Sequence, residues 1–344
     1  MGNGCCHRSA VRIQVGEPRE EKPNIVRLNL PTQLEQARQR KSVLYQGEAS
    51  ENTFTDLSTP RTGKIIRWKR GELIGEGAYA KVYQCMNIET GELLAVKHFR
   101  LSDDPKKIER EFINLKNEIT LLRELNHPNV VQYYQTELSN EMTSIDVMLE
   151  YVPGGSLKKI LQKYDFLEEE VIKNYGKQLV RGLAYLHENG IIHRDLKSAN
   201  VLVTTSGIVK LTDFGSSKKF LENEGKLSRS LKGSPYWMAP EVVLREGHTY
   251  SADIWSLGCV LIEMSSGQPP WSNYSKDAKE VLKLISTPDN YPIIPKCSRT
   301  LKSLIHMCLQ RDQFLRPTAQ QVLEHEFFVE NSNEDCSLTS TRPL

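Results

Sequence analysis

The sequence has little of what marks membrane-spanning, secreted or metal-stabilised proteins. No apolar run approaches the roughly 18 residues of a transmembrane helix, and the first residues lack the apolar stretch of a secretory signal. The seven cysteines include no C-x-x-C pair, so neither a disulfide framework nor a zinc site is expected, and a reducing compartment is the better hypothesis. The formal net charge of +2 over 344 residues gives no indication of a nucleic-acid partner.

Two common phosphate- and metal-handling motifs are also missing. The Gly-Lys pairs at residues 63–64 and 225–226 are each followed by an aliphatic residue, where a Walker A loop needs Ser or Thr. His187 and Glu188 begin the pattern of a zinc-protease helix, but Ile191 stands where its second histidine belongs. Neither a Walker-type nucleotide site nor a zinc protease is therefore predicted.

Polarity and periodicity divide the chain into three parts. Residues 1–65 mix charged, polar and isolated apolar side chains without a sustained period, which predicts a mostly disordered arm. Residues 66–151 are strand-rich and residues 152–328 are helix-rich, with Gly154 and Gly155 at the change, which predicts a bilobal α+β fold with a small β-rich lobe and a larger helical lobe. Residues 329–344 are predicted to be a polar tail.

Within the two predicted lobes, apolar alternation indicates strands and apolar stripes indicate helices. Asp104 followed by Pro105 is a helix-start signal, and Leu115 and Ile119 then fall on one helical stripe. A second stripe, ended by Gly190, marks a long helix. The predicted strands cover residues 81–85, 93–97, 130–134 and 145–151, and the predicted helices include residues 171–186 and one that starts near residue 253.

A glycine-rich segment that leads into the first predicted strand follows the pattern G-x-G-x-x-A-x-V. Glycines let a backbone approach phosphate oxygens closely, and the flanking strands would hold the loop over them. The alternatives are an ordinary tight turn or a dinucleotide-binding fingerprint, but the latter requires a helix directly after the glycines, where a strand pattern follows here. The residues predicted to cover a bound phosphate are Gly75, Glu76, Gly77, Ala78, Tyr79, Ala80, Lys81 and Val82.

Lys97 ends the apolar run of the returning strand and can reach back under the glycine-rich loop. A lone lysine in a strand is usually solvated, but the apolar run places its stem against a core. Glu118 shares a helix face with Leu115 and Ile119, so it should point towards the sheet rather than towards water. We therefore predict that Lys97 and Glu118 form an ion pair.

The segment His193–Asn200, followed by Asp213 in an Asp-Phe-Gly turn, supplies the side chains that phosphoryl transfer requires. Asp195 is the candidate for orienting an acceptor hydroxyl and accepting its proton. Lys197 would neutralise charge on the moving phosphoryl group, while Asn200 and Asp213 would bind Mg²⁺ through oxygen atoms. The alternative is a turn-rich loop in which Asp and Asn only cap backbone groups, and it leaves the order and spacing of the whole set to coincidence.

With these motifs in hand, residues 66–328 resemble the eukaryotic serine/threonine protein kinases. Further matching segments are Met238–Glu241, Asp253–Gly258 and Arg316–Thr318. The resemblance implies an enzyme that uses ATP and Mg²⁺ to phosphorylate Ser or Thr of protein substrates. It also implies that Asp253 braces the backbone of residues 193–200, the catalytic loop, and that Glu241 forms an ion pair with Arg316. The adenine site would be formed by Ala95, the gatekeeper Leu149 and the hinge residues Glu150 and Val152.

More narrowly, residues 66–75, 91–97 and 233–241 resemble MAP kinase kinase kinases of the MEKK type (Ste11-like), including plant members. This resemblance implies that MAP kinase kinases are the substrates. A Ste20-like or other kinase with different substrates is the alternative within enzymes, and a membrane-tethered scaffold that only binds is the alternative outside them. Ser156 and Ala199 stand where basophilic kinases commonly have carboxylates, which argues against arginine-rich substrates.

A regulatory hypothesis rests on Ser230, which lies between Asp213 and Glu241. Phosphorylated Ser230 would pair with Arg194 and order this segment through charge-assisted hydrogen bonds. The alternative is that a serine-rich segment is simply soluble.

The N-terminal sequence carries a possible acylation signal. Gly2 could accept myristate, and Cys5 and Cys6 could accept palmitate, although Cys6 stands where the usual pattern prefers Ser or Thr. Two acyl chains would tether a cytoplasmic protein to the cytoplasmic face of a membrane. An unmodified N-terminus is the alternative.

Overall fold

The computed structural model describes residues 65–77, 80–102, 104–139, 143–219 and 233–329. Its N-terminal part, the N lobe, is a five-stranded antiparallel sheet in the order β1-β2-β3-β5-β4. One long helix, α1, connects β3 to β4. The bounds are β1 Trp68–Glu76, β2 Lys81–Asn87, β3 Leu93–Arg100, α1 Pro105–Glu124, β4 Tyr133–Leu138 and β5 Ser144–Glu150.

Helix α1 packs one face against this sheet. Proline at its first position has the backbone angle a helix needs and lacks only an N–H that would have no partner there. Phe112, Leu115, Ile119 and Leu122 are buried at helical spacing and join the main core. Glu118 lies on the same face and is almost fully buried, so a charged group faces the sheet.

The fourth strand begins later than the sequence predicts. The apolar run at residues 130–134 predicts a strand there, but β4 begins at Tyr133. Val130 instead forms an isolated bridge to Leu211, and the N–H of Val131 donates to the carbonyl of Leu211 at 2.9 Å. Both valines are buried, because this segment packs onto the helical lobe rather than entering the sheet. Apolarity alone does not distinguish these two environments.

The C-terminal part, the C lobe, is mainly helical. Four of its helices begin after a residue whose side-chain oxygen accepts a backbone N–H of the first turn: Ser156, Asp277, Ser298 and Thr318. Two short antiparallel pairs, β6 with β9 and β7 with β8, flank the segments that contain Asp195 and Asp213. The bounds are α2 Leu157–Tyr164, α3 Glu169–Glu188, β6 Ile191–Ile192, β7 Val201–Val203, β8 Val209–Leu211, β9 Lys218–Lys219, α4 Pro240–Val243, α5 Tyr250–Ser266, α6 Ala278–Ser286, α7 Arg299–Cys308 and α8 Ala319–Leu323.

Helix α5 is the centre of the C lobe. It is buried on all sides rather than along one stripe, as expected for a helix that is apolar all round. Gly258 lets α7 approach, because a Cβ there would lie 2.9 Å from the Cβ of Cys308. Two carboxylates, Asp253 and Glu263, are nevertheless buried on this apolar helix.

The predicted α+β class, with a small sheet-rich lobe before a larger helical one, is confirmed. In the part of the chain that the structure describes, no helix combines the length and the apolarity that a membrane span requires.

Candidate active site

A cluster of three charged side chains joins the two lobes. Lys97 pairs with Val82 in the β2–β3 register, which places it on the strand next to the glycine-rich hairpin. Its Nζ lies 2.8 Å from Oε1 of Glu118 on α1 and 3.0 Å from Oδ1 of Asp213 in the C lobe. The predicted pair of Lys97 and Glu118 is therefore present, and Asp213 is added to it. We call these three residues the cleft cluster.

The charges of the cleft cluster stabilise one another. Burial alone would lower the pKa of the Lys97 ammonium, but the carboxylates of Glu118 and Asp213 raise it above its ordinary value. Burial would likewise raise the pKa of the Asp213 carboxyl, and Lys97 outweighs it and lowers that pKa. Lys97 is thus held as a cation and Asp213 as an anion at neutral pH.

Asp213 keeps a free oxygen for a ligand. It has a left-handed backbone (φ 66°), uncommon for a residue other than glycine and often found at functional sites. Its side chain is 47% exposed, compared with 10% for Glu118. Among the described residues, Lys97 is the hydrogen-bond partner of Oδ1, and Oδ2 accepts nothing.

Asn200 offers a second oxygen. Its Nδ2 donates to the backbone carbonyl of Asp195 at 2.8 Å and to Oδ2 of Asp195 at 3.1 Å. With the amide nitrogen so engaged, Oδ1 of Asn200 is the atom left for a cation. One amide oxygen and one carboxylate oxygen fit a hard divalent ion that takes its remaining ligands from phosphate and water.

Asp195 lies in a network that also contains a residue from the segment after Asp213. Oδ2 of Asp195 is 2.7 Å from Nζ of Lys197. Oγ of Ser234 donates to Oδ1 of Asp195 at 2.9 Å and accepts from Nζ of Lys197 at 2.6 Å. The Ser234 hydroxyl therefore bridges the carboxylate of Asp195 and the ammonium of Lys197.

Helix α5 holds the backbone of this loop. The carboxylate of Asp253 accepts the N–H of His193 at 2.8 Å and that of Arg194 at 2.9 Å. Nε2 of His187 lies 2.9 Å from Oδ2 of Asp253. Burial would raise the pKa of the Asp253 carboxyl, but these contacts lower it. The brace that the resemblance implied is present in this geometry.

A second buried carboxylate makes an ion pair that does not reach the cleft. Arg316 donates from both terminal nitrogens to the two oxygens of Glu241, each at 2.7 Å. The remaining donors of Arg316 reach the carbonyls of Gln310, Ser251 and Arg311. The Arg316 side chain is 0% exposed, so this pair is structural.

The predicted adenine site lies where the two lobes connect. Ala95 pairs with Leu149 across β3 and β5, and Leu149 and Val152 are buried. The carboxylate of Glu150 is engaged by Lys210 at 2.9 Å and by the N–H of Gln132 at 3.1 Å. The N–H of Glu150 also donates to the carbonyl of Gln132 at 2.8 Å, so neither the side chain nor the N–H of Glu150 is free for a base.

The glycine-rich hairpin is described except at its tip. Gly75 pairs with Val82 and Glu76 with Lys81, and the N–H of Gly77 donates to the carbonyl of Ala80 at 2.9 Å. Lys81 and Glu76 form an exposed ion pair at 3.2 Å. Ala78 and Tyr79 lie outside the described residues, as do Ser230, Gly2, Cys5 and Cys6.

Sequence reasoning missed two partners of the site. Lys210 holds the hinge residue Glu150, and His187 holds Asp253. Each of these contacts joins residues at least 60 positions apart, and neither Lys210 nor His187 belongs to a short motif. In the sequence, His187 stands out only as the start of an incomplete zinc-protease pattern.

Comparisons with known proteins agree with this geometry. The family model described as protein kinase domain matches residues 68–328. Mitogen-activated protein kinase kinase kinase 2 of Arabidopsis thaliana is 41% identical over 302 residues, which cover 87% of this chain and 46% of that protein. Mitogen-activated protein kinase kinase kinase A of Dictyostelium discoideum is 44% identical over 284 residues, 81% of this chain and 29% of that protein. The chain thus spans less than half the length of these curated relatives.

Proposed function

The chain belongs to the protein kinase family, whose members use ATP and a divalent metal, and from that premise we propose that it is a MAP kinase kinase kinase. It would transfer the γ-phosphate of ATP to serine or threonine residues of MAP kinase kinases. The observation that carries the proposal is the contact of Lys97 with Glu118 and Asp213, beside a loop in which Asp195 contacts Lys197. The two groups are neighbours, because the Lys197 ammonium helps to lower the pKa of the Asp213 carboxyl. The names of the relatives support the narrower substrate class.

In the proposed reaction the two charged groups of the catalytic loop act on the acceptor. Asp195 orients the substrate hydroxyl and accepts its proton. The new bond joins the hydroxyl oxygen to the γ-phosphorus, and the bond to the bridging oxygen of ADP breaks. Lys197 neutralises the charge on the phosphoryl oxygens during this transfer.

The remaining residues position the nucleotide. Lys97, held by Glu118, contacts the phosphates. Asn200 and Asp213 would hold Mg²⁺, which supplies charge neutralisation on the phosphate oxygens. The hairpin of residues 75–82 covers them, and the hinge backbone at Glu150 and Val152 contacts the adenine.

A panel of purified, catalytically inactive MAP kinase kinases tests the proposal. The full-length protein with ATP and Mg²⁺ is expected to phosphorylate at least one of them on Ser or Thr, and Lys97→Met is expected to abolish the transfer. Lys283→Met, on the exposed face of α6, is the matched control and should behave like the wild type. Transfer to a generic protein substrate without any MAP kinase kinase would favour a different Ser/Thr kinase, and no transfer at all would favour a scaffold.

Phosphorylation of Ser230 is part of the proposal. Arg194 supports it, because its guanidinium donates to the backbone carbonyls of Ser216 and Ser217, at the start of the segment that leads to Ser230. After full activation, Ser230→Ala is expected to be less active than the wild type. Equal activity would remove this role.

N-terminal acylation is also proposed, with Gly2 as the myristate site and Cys5 and Cys6 as palmitate sites. The motif supports it, and a second acyl chain makes a weak anchor stable. In cells, Gly2→Ala is expected to move the protein from the cytoplasmic face of a membrane to the soluble fraction. An unchanged distribution would contradict the anchor.

A further inference from the structure

Helix α7 and the segment before it form a groove in the C lobe that the proposed reaction does not use. We call it the α7 groove. An apolar cavity of about 150 Å³ is large enough for benzene, so an aliphatic side chain can enter this larger space. The groove has a volume of about 260 Å³ and is lined by Tyr291, Pro292, Ile294, Lys302, His306 and Leu309.

The surface beside the α7 groove is also apolar. Oη of Tyr274 donates to the carbonyl of Tyr291 at 3.4 Å, so the two tyrosines adjoin each other. Both rings and the side chain of Ile293 are about half exposed. Neighbouring apolar groups left in water often mark a surface that binds another segment or protein.

One exposed face of α7 adds positive charge to the α7 groove. Arg299, Lys302 and His306 are spaced at i, i+3 and i+7, so they lie on one stripe of the helix, and all three are exposed. In the part of the chain that the structure describes, neither Arg299 nor Lys302 forms an ion pair. The nearby carboxylate of Glu169 accepts the N–H of Ser298. A ligand for this face should therefore combine negative charge with an apolar side chain.

The last described residues of the chain lie close to this face. Nζ of Lys177 on α3 donates to the carbonyl of Phe328 at 3.1 Å, which places the start of residues 330–344 beside α3. Glu169, near the beginning of the same helix, contacts Ser298, the N-cap of α7. The helix spans about 12 Å between residues 169 and 177, so the two points are separated mainly by that length.

A second contact ties the end of the described chain to α7. Nε2 of His325 lies 3.2 Å from Oγ of Ser303, which follows Lys302 on α7. Residues 330–344 therefore begin a few positions after a residue that already touches the helix.

Residues 330–344 have the composition that this face requires. Glu330, Glu334 and Asp335 are acidic, and Leu338 follows them. An extended chain covers about 3.3 Å per residue, so Glu334 and Asp335 can lie about 17–20 Å beyond Val329. That reach exceeds the length of α3 that separates the end of the described chain from the start of α7. Leu338, three residues later, can then enter the α7 groove.

We propose that residues 330–344 dock on the α7 groove of the same chain, with Glu334 and Asp335 on Arg299 and Lys302, and with Leu338 inside the groove. The proposal is independent of the kinase function. Exposed ion pairs are weak one by one, but a short linker gives an effective concentration in the millimolar range. A local Kd of about 0.1 mM would therefore keep this segment docked in most molecules.

Hydrogen exchange of the full-length protein, followed by mass spectrometry, tests the docking. The amides of residues 334–339 are expected to exchange at least about 5-fold more slowly in the protein than in a synthetic peptide of residues 330–344. Because the contact is partly electrostatic, 0.5 M NaCl, an ionic strength of about 0.5 M, should reduce this difference. Carbodiimide should link the Lys302 amine to the carboxylate of Glu334 or Asp335 within one molecule.

Charge exchange shows whether these particular residues make the contact. Arg299→Glu combined with Lys302→Glu should give the fast exchange of the peptide. Adding Glu334→Lys and Asp335→Lys should slow the exchange again, with each protein compared with the peptide of its own sequence. The matched control is Lys69→Glu, at an exposed lysine on β1 of the N lobe, which should keep the slow exchange.

The apolar contact is tested separately by Leu338→Asp, which should also give fast exchange. Residue 338 lies outside the described residues, so this variant decides the matter if the melting temperature shows that the Arg299 and Lys302 variant unfolds.

Four results would overturn the proposal. Exchange at the peptide rate in the wild type would show that the segment does not dock, and slow exchange that persists in the Arg299 and Lys302 variant would place it elsewhere. Slow exchange that increases with protein concentration, with cross-links between ¹⁵N-labelled and unlabelled molecules, would assign the α7 groove to a second copy of the chain. Binding of the wild type to phosphatidylserine vesicles while residues 334–339 exchange freely would assign the basic stripe to a membrane surface.

Discussion

The cleft cluster and the pair of Glu241 with Arg316 use the same side-chain chemistry in two different settings. In the cleft, one ammonium is shared by two carboxylates from separate lobes, and Asp213 remains about half exposed with one oxygen free. In the C lobe, both oxygens of Glu241 and all the donors of Arg316 are used, and nothing is exposed to a ligand. An ion pair that leaves one carboxylate oxygen without a donor is suited to ligand binding. An ion pair in which every donor and acceptor is used is suited to holding the fold. Substitutions in the cleft cluster should therefore lower activity, and substitutions in the pair of Glu241 with Arg316 should lower stability.

The largest effect is expected at the open carboxylate. Asp213→Asn should lower phosphoryl transfer by about 10³-fold, because it removes a charge aimed at the phosphates and their metal. The melting temperature should stay close to that of the wild type. The matched control is Asp289→Asn, an exposed aspartate with the same left-handed backbone (φ 65°), which should keep full activity. Unfolding of Asp213→Asn would show that the cleft cluster, like the pair of Glu241 with Arg316, holds the fold.

The saturated pair should give the opposite result. Arg316→Met leaves the Glu241 carboxylate buried without its cation, at a cost of about 3–5 kcal/mol in the free energy of unfolding. That corresponds to a drop of about 10 °C in melting temperature for a domain of this size. The control is Arg67→Met, which breaks the exposed pair with Glu89 and should cost about 1 kcal/mol or less. Equal melting of the two variants would contradict the comparison.

The pH dependence of stability tests whether the buried Asp253 on α5 is ionised, as a carboxylate that braces the fold should be. The pKa of Asp253 is lower in the folded state than its ordinary value near 3.8, so the unfolded state takes up the proton first on acidification. The stabilisation is therefore complete above about pH 5 and is lost as the pH falls through the folded pKa. Asp253→Asn should be less stable than the wild type by about 1–3 kcal/mol at pH 7. In urea unfolding, the difference should shrink below pH 4, and a constant difference would argue against an ionised Asp253 as the brace.

The smallest effect is expected at Ser234, which touches the reacting groups without carrying charge. Ser234→Ala should lower kcat about 10-fold, because Asp195 and Lys197 lose the hydroxyl between them. Ser234→Thr keeps the hydroxyl and should retain most of the activity. Identical kcat values for the two variants would mean that the contacts at 2.9 and 2.6 Å have no part in transfer.

Local signals in the sequence were sufficient for the order of the elements and for much of the cleft. The helical stripe of Leu115 and Ile119 predicts a buried Glu118, and the apolar run at the start of β3 predicts that Lys97 meets it. The contacts of Lys210 with Glu150 and of His187 with Asp253 have no such signal, because they depend on how distant segments pack. The predicted start of β4 is wrong for the same reason, because Val130 and Val131 are buried against the C lobe rather than in the sheet.

The proposed function requires that a nucleotide and its metal bind to Nζ of Lys97 and to the free oxygens of Asp213 and Asn200. A crystal structure of the full-length protein with a non-hydrolysable ATP analogue and Mg²⁺ tests this directly. The prediction is that Nζ of Lys97 lies within hydrogen-bond distance of a phosphate oxygen, and that oxygens of Asp213 and Asn200 lie about 2.1 Å from the metal. A nucleotide bound elsewhere, or a metal that contacts neither residue, would contradict the account.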